Sequence, residues 1–96
     1  MTKGGFTYIL TNRTYGVLYV GVTADITERI WLHRNGKGSA FCRRYGIDRL
    51  VLVEEYPTIE EAIAREKQLK NWQREWKIEL LEASNPEWPD LMPKAT

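Results

Sequence analysis

Along the first quarter of the chain Phe6, Tyr8 and Leu10 alternate with Thr7, Ile9 and Thr11, and the run 17–22 is rich in β-branched residues. Both patterns predict strands. Asn12-Arg13-Thr14-Tyr15-Gly16 between them has turn chemistry, so the two segments are expected to form a hairpin. If Leu10 opposes Val17, Tyr8 falls directly across from Tyr19, with both side chains on one face. Each face of these strands carries apolar side chains, which implies a sheet covered by helices on more than one side.

Asp25 followed by Glu28 is a capping-box pattern, and a helix is expected from there to about Asn35. Within it Ile26, Arg29, Ile30 and His33 share one stripe at three- and four-residue spacing, which sets a cation and an imidazole on the core-facing side. Gly36-Lys37-Gly38-Ser39 ends that helix and opens an irregular basic loop. It is not a Walker-type phosphate loop, which needs a further glycine, a strand before it and a helix after it. A third strand is predicted over 50–56, ended by Pro57, and Thr58 with Glu61 repeats the capping pattern for a helix to about Asn71. Its apolar stripe of Ile59, Ala62, Ile63 and Leu69 carries Glu66 along, and a carboxylate on the buried side needs a partner. Helical pattern resumes over 72–83 after a break near Asn71, and Pro86 and Pro89 stop it. Trp88 is expected to pin the tail to the body.

The reading is therefore a small α/β protein of the α+β kind, a three-stranded, mainly antiparallel sheet flanked by about three helices in the order β-β-α-β-α-α. Residues 1–91 are expected to form one domain and 92–96 a disordered tail. Ninety-six residues at 43% hydrophobic and 28% charged composition suit a single core. The longest apolar run, 17–22, is far short of the roughly 20 residues that cross a bilayer. One cysteine, Cys42, and one histidine cannot build a disulfide or a zinc cage, and a reducing cytoplasm is the expected location. A monomer is favoured over a dimer anchored by Trp72, Trp76 or Trp88, because so short a chain needs its tryptophans for the core.

Net charge is nearly balanced, with 14 basic and 13 acidic residues, but the distribution is uneven. Arg29, Arg34, Lys37, Arg43, Arg44 and Arg49 face a single acid, Asp48, whereas 54–66 is dominated by Glu54, Glu55, Glu60, Glu61 and Glu66. The basic block is either a phosphate-facing surface or an ordinary solvated loop.

Five side chains break local rules in one direction: two tyrosines on one strand face, a basic pair on an inner helix stripe, and an inward glutamate. Each has a plain structural explanation. Tyr8 and Tyr19 would make a cross-strand aromatic pair, Arg29 and Glu66 a buried ion pair, and His33 a hydrogen-bonded core histidine.

Together these residues resemble the GIY-YIG nuclease superfamily. Tyr19-Val20-Gly21 is similar to its second signature triplet, and Phe6-Thr7-Tyr8 stands in place of the first, keeping the tyrosine but not the glycine and isoleucine. Arg29 lies ten residues after Tyr19, as the family's arginine does, His33 follows one turn later, and Glu66 matches the family's metal-binding glutamate. The resemblance runs from about Phe6 to Leu81, and the Arg65-Glu66-Lys67-Gln68-Leu69-Lys70 run with Asn85-Pro86-Glu87-Trp88 resembles the small stand-alone bacterial members, akin to the N-terminal domain of the excinuclease of the same superfamily. The family's asparagine in the last helix has no assigned counterpart here.

What the resemblance implies is Mg2+- or Mn2+-dependent hydrolysis of DNA phosphodiester bonds, in a repair or recombination setting. It implies catalytic roles for Tyr8, Tyr19, Arg29, His33 and Glu66, with Glu66 holding the metal. A tyrosine would take the proton of the attacking water, a guanidinium would bind two phosphoryl oxygens, and one carboxylate suffices for a magnesium ion that keeps several waters. Gly21, Arg34, Lys37, Arg43 and Arg44 are the expected nucleic-acid contacts, Gly21 by close backbone approach to a phosphate or a packed helix. The alternative is a nucleic-acid-binding or interaction module that keeps the fold without useful turnover.

Overall fold

Three antiparallel strands, β1 (Gly5–Thr11), β2 (Leu18–Thr23) and β3 (Arg49–Tyr56), form one sheet in the order β2-β1-β3. The computed structural model describes residues 4–92. Four helices complete the fold: α1 (Ile26–Arg34), α2 (Ala40–Tyr45), α3 (Ile59–Asn71) and α4 (Arg74–Ser84).

Side-chain alternation along β1 and β2 builds two cores, and a register shift on β3, where Ile9 pairs with Leu52 and Leu10 with Leu50, leaves Val51 and Leu52 in the same core. Ile9, Val20, Val51 and Leu52 pack against Leu69 of α3, Leu81 of α4 and Trp88. Tyr8, Leu10 and Leu50 pack on the other face against Ile30 of α1, Cys42 of α2 and Ile47. Helices therefore cover both faces, as the two-sided apolar pattern predicts, and each fully buried aliphatic side chain contributes about 1.5–3 kcal/mol. The hydroxyl of Thr7, buried among these groups, donates to the Ala62 carbonyl at 2.7 Å, which ties β1 to α3.

The predicted helix starts are built as expected. Asp25 Oδ1 accepts from the Glu28 amide at 3.0 Å, and Thr58 Oγ1 accepts from the Glu61 amide at 3.2 Å. Trp72 and Gln73 are extended, so α3 and α4 are separate helices broken just after Asn71. Trp88 is fully buried and its indole donates to Glu82 Oε2 at 2.7 Å. Asn85 donates to the Val51 carbonyl at 3.2 Å and the Leu91 amide to Leu50 O at 2.8 Å, so the segment after α4 straps the free edge of β3. Of the tail expected over 92–96, Met92 packs on the second core, and 93–96 lie outside the described residues. No helix among the described residues is long and apolar enough to cross a membrane.

Three expectations are corrected. The hairpin register is displaced by two residues: Tyr8 pairs with Gly21 and Leu10 with Tyr19, instead of Leu10 with Val17. The connection is longer than expected because Asn12 Oδ1 accepts from the Val17 amide at 3.0 Å and Tyr15 adopts the left-handed region, which draws Val17 into the turn. An even displacement keeps Tyr8 and Tyr19 on one face. Second, the stretch expected to be an irregular basic loop contains α2, whose Ser39 hydroxyl accepts from the Cys42 amide at 3.1 Å and whose Gly46 closes the helix at φ 64°. Third, Arg29 does not face the core. Ile30 and His33 fill the buried stripe, and Arg29, one residue round the helix, projects to solvent.

Candidate active site

Tyr8 lies at the centre of the sheet, with its ring laid across Gly21 on β2. A Cβ at position 21 would stand 2.4 Å from both Cζ and Oη of that ring. The space a side chain at position 21 would take is thus filled by the Tyr8 ring. Burial pushes the Tyr8 phenol far above its ordinary value, while the Arg29 charge pulls against it and Tyr19, Cys42 and Glu66 add smaller upward pushes. Tyr8 is a neutral hydroxyl, suited to donating a hydrogen bond. Tyr19 emerges two residues before Gly21 on the same face and is half-buried.

His33 of α1 meets both phenols edge-on, with ring centroids 6.3 Å from Tyr8 and 5.9 Å from Tyr19. Gly38 closes over its other side: a Cβ there would fall 2.4 Å from His33 Nδ1. The imidazole is buried, and neither ring nitrogen has a hydrogen-bond partner among the described residues. Burial lowers its pKa first, the Arg29 charge lowers it further, and Asp48 offsets part of that, so the ring is neutral near pH 7. This is not the hydrogen-bonded core histidine of the plain structural explanation.

Arg29, one turn before His33, makes no side-chain hydrogen bond or ion pair among the described residues, although its charge reaches Tyr8 and His33. It lines a solvent-open hollow of about 300 Å³ with Thr23, Asp25, Glu28 and Leu32. The alternative of an Arg29–Glu66 ion pair is not formed. Glu66 comes from α3 on the opposite face of the sheet, and its partner is Lys70, one turn on, at 3.3 Å. The Glu66 side chain is 16% exposed and that of Lys70 55%, so the carboxylate is mostly buried with a limited opening to water. Its charge is the weakest of those acting on Tyr8. No three His, Cys, Asp or Glu side chains converge as a metal cage among the described residues. A single accessible carboxylate fits a hard cation that keeps most of its waters.

The structure thus gathers Tyr8, Tyr19, His33 and Arg29 on one face and sets Glu66 at the margin. The expected nucleic-acid contacts divide. Arg34 is not free: its side chain is 12% exposed, it forms an ion pair with Asp90, and its Nε donates to the Asp48 carbonyl at 3.4 Å. Arg43 donates to Gly36 O at 3.1 Å but stays exposed, Lys37 lies over the Trp31 ring at 5.4 Å, and Arg44 over Tyr45 at 5.6 Å. Two neighbours of the site went unnoticed in the sequence. Lys70 was legible from its spacing four residues after Glu66, whereas Gly38 read only as a helix stop.

Two phenols, an uncharged imidazole and an unpaired guanidinium thus lie around one hairpin, and residues 4–79 match the family model described as the GIY-YIG catalytic domain. The chain belongs to that family, which lies within a nuclease superfamily acting on nucleic acid. More particularly, it is a small protein of the UPF0213 family. UPF0213 protein SERP0126 of Staphylococcus epidermidis is 34% identical over 67 residues, spanning 70% of this chain and 82% of that protein. UPF0213 protein BH0048 of Halalkalibacterium halodurans is 37% identical over 76 residues, spanning 79% and 80%. The solution NMR structure of the UPF0213 protein BH0048 from Bacillus halodurans has the same fold, with a TM-score of 0.58 at 31% identity over 97% of this chain and 98% of that one.

Proposed function

We propose that the protein is a divalent-metal-dependent endonuclease that hydrolyses DNA phosphodiester bonds. The observation that carries this reading is Arg29: a solvent-facing guanidinium without an ion pair among the described residues, beside two tyrosines and a neutral histidine. Left open, it is ready for two oxygens of a phosphoryl group, and it stays protonated throughout the reaction.

Tyr19 is the phenol that meets the attacking water, because Tyr8 is sealed and strongly disfavours its phenolate. His33, neutral and with both nitrogens free of hydrogen bonds among the described residues, takes up the proton that Tyr19 releases as Tyr19 accepts one from water. Tyr8 orients its neighbours and donates. Glu66 is the carboxylate that would hold Mg2+ or Mn2+. When bound, such an ion supplies positive charge to the phosphoryl and leaving oxygens.

The test is nicking of supercoiled, nicked and branched DNA with Mg2+ or Mn2+ by the wild type beside Arg29→Ala and Glu66→Ala. Product from the wild type and none from the variants is expected. Equal activity in all three would trace the cleavage to a contaminant and overturn the reading. Binding without product under any metal condition would favour the non-catalytic nucleic-acid module.

A further inference from the structure

We propose that Phe41 and Tyr45 on α2 form a stacking platform for the unpaired bases of a DNA strand, next to the tyrosine–histidine cluster. The identity of DNA as the ligand rests on the nuclease reading; the platform does not depend on cleavage. Single exposed aromatics are common on protein surfaces and mean little. These two are a pair, four residues apart on one helix face, with ring centroids 5.0 Å apart. Each is 49% exposed, and neither belongs to a buried core.

Charge selects the occupant. The segment 36–46 holds three basic residues, Lys37, Arg43 and Arg44, and no acid. The Arg44 guanidinium lies over the Tyr45 ring, and Arg43 is tied to the Gly36 carbonyl at the end of α1, where Lys37 covers Trp31. Cations set among open aromatic rings complement a chain that alternates phosphates with flat bases. In a duplex the base faces are already stacked and cannot reach a protein ring, so only unpaired nucleotides can use this surface. Its position gives the platform a purpose. Cys42, only about 100° round the helix from Phe41, is buried in the same core as Tyr8, and Gly38, just before α2, covers His33. A strand stacked on Phe41 and Tyr45 would therefore pass beside the hydroxyl cluster, and the substrate class is DNA with a single-stranded stretch at the cut.

The experiment is fluorescence anisotropy with the full chain and a labelled oligonucleotide, in chelator, so that binding is read without cleavage. The single-stranded form should bind about tenfold or more tighter than the blunt duplex of the same sequence. Phe41→Leu with Tyr45→Leu should abolish that preference while leaving the duplex affinity, the salt slope and the Tm as in the wild type. Tyr45→Phe should retain it. A 2-aminopurine base in the single strand should change emission on binding the wild type and not the double variant. Unaltered strand preference in the double variant, or no preference in the wild type, overturns the platform. So does a change of oligomeric state in the double variant without a change in binding, which would make this face a contact between copies. Strand preference without nicking would sink the nuclease reading alone, and nicking that ignores the double variant would sink the platform alone.

Discussion

The ring of Tyr8 lies so close over Gly21 that a single added methyl group would have to occupy the space of Cζ and Oη. Gly21→Ala must therefore displace the phenol or part the two strands. Overpacking of this kind costs about 1–3 kcal/mol. Urea denaturation should show that loss in Gly21→Ala, and a substantially smaller one when Gly21→Ala is made in a Tyr8→Leu background, where the clashing atoms are gone. Full additivity of the two substitutions would mean that the residues do not share the space.

Arg29 separates stability from activity. Because its side chain is exposed and without an ion pair among the described residues, Arg29→Ala should change unfolding free energy by no more than about 0.5 kcal/mol. Loss of a preorganised charge at the phosphoryl group should lower turnover about 10²-fold or more. Thermal melts and nicking rates on the same preparation check both halves. A large fall in Tm would assign Arg29 to the fold.

His33 gives stability a pH dependence of known sign. Its folded-state pKa is depressed by burial and by Arg29, so the unfolded chain binds the proton more readily. Stability attached to this group is complete above the unfolded histidine value of about 6.5 and is lost as pH falls through the lower folded value. Melting temperatures between pH 7.5 and 5 should decline more in the wild type than in His33→Phe. Since neither ring nitrogen has a hydrogen-bond partner among the described residues, the variant breaks no such bond. Parallel profiles would show that the decline comes from other groups.

Arg34 belongs to the scaffold. Asp90 accepts from its guanidinium and, through Oδ1, from the amides of Leu50 at 3.3 Å and Met92 at 3.0 Å, so one carboxylate joins α1, β3 and the final segment. Asp90→Ala leaves a largely buried cation unpaired and should cost about 3 kcal/mol in denaturant titration. Replacing both partners by apolar residues, as in Arg34→Met with Asp90→Leu, should restore part of it. If Asp90→Ala is neutral, the C-terminal strap is not held by this pair.

Most of the elements were legible because they rest on local chemistry. Alternation marked the strands, Asp25 and Thr58 marked helix starts, and Trp88 announced its burial by size alone. The short helix α2 escaped although Ser39 and Gly46 carry its start and stop, because its six residues present two exposed aromatics and two arginines where an amphipathic stripe would be sought. The tyrosines, histidine, arginine and glutamate were visible as residue types at a family's spacing, but their surroundings were not.

The sequence by itself determined the three strands, three of the four helices, and that Tyr8 and Tyr19 share a face, since these follow from periods of two and 3.6 residues and from caps a few positions apart. Only the tertiary structure decided that Tyr8 rests on Gly21, that Gly38 covers His33, that Arg34 is bound to Asp90 while Arg29 stands open, and that Glu66 answers to Lys70. These depend on strand register and on how helices from distant parts of the chain meet across the sheet. Register is settled by turn geometry and by which side chain fits over which backbone, and partner choice by which charges the packing brings within a few ångströms. Neither quantity is carried by any local stretch of residues.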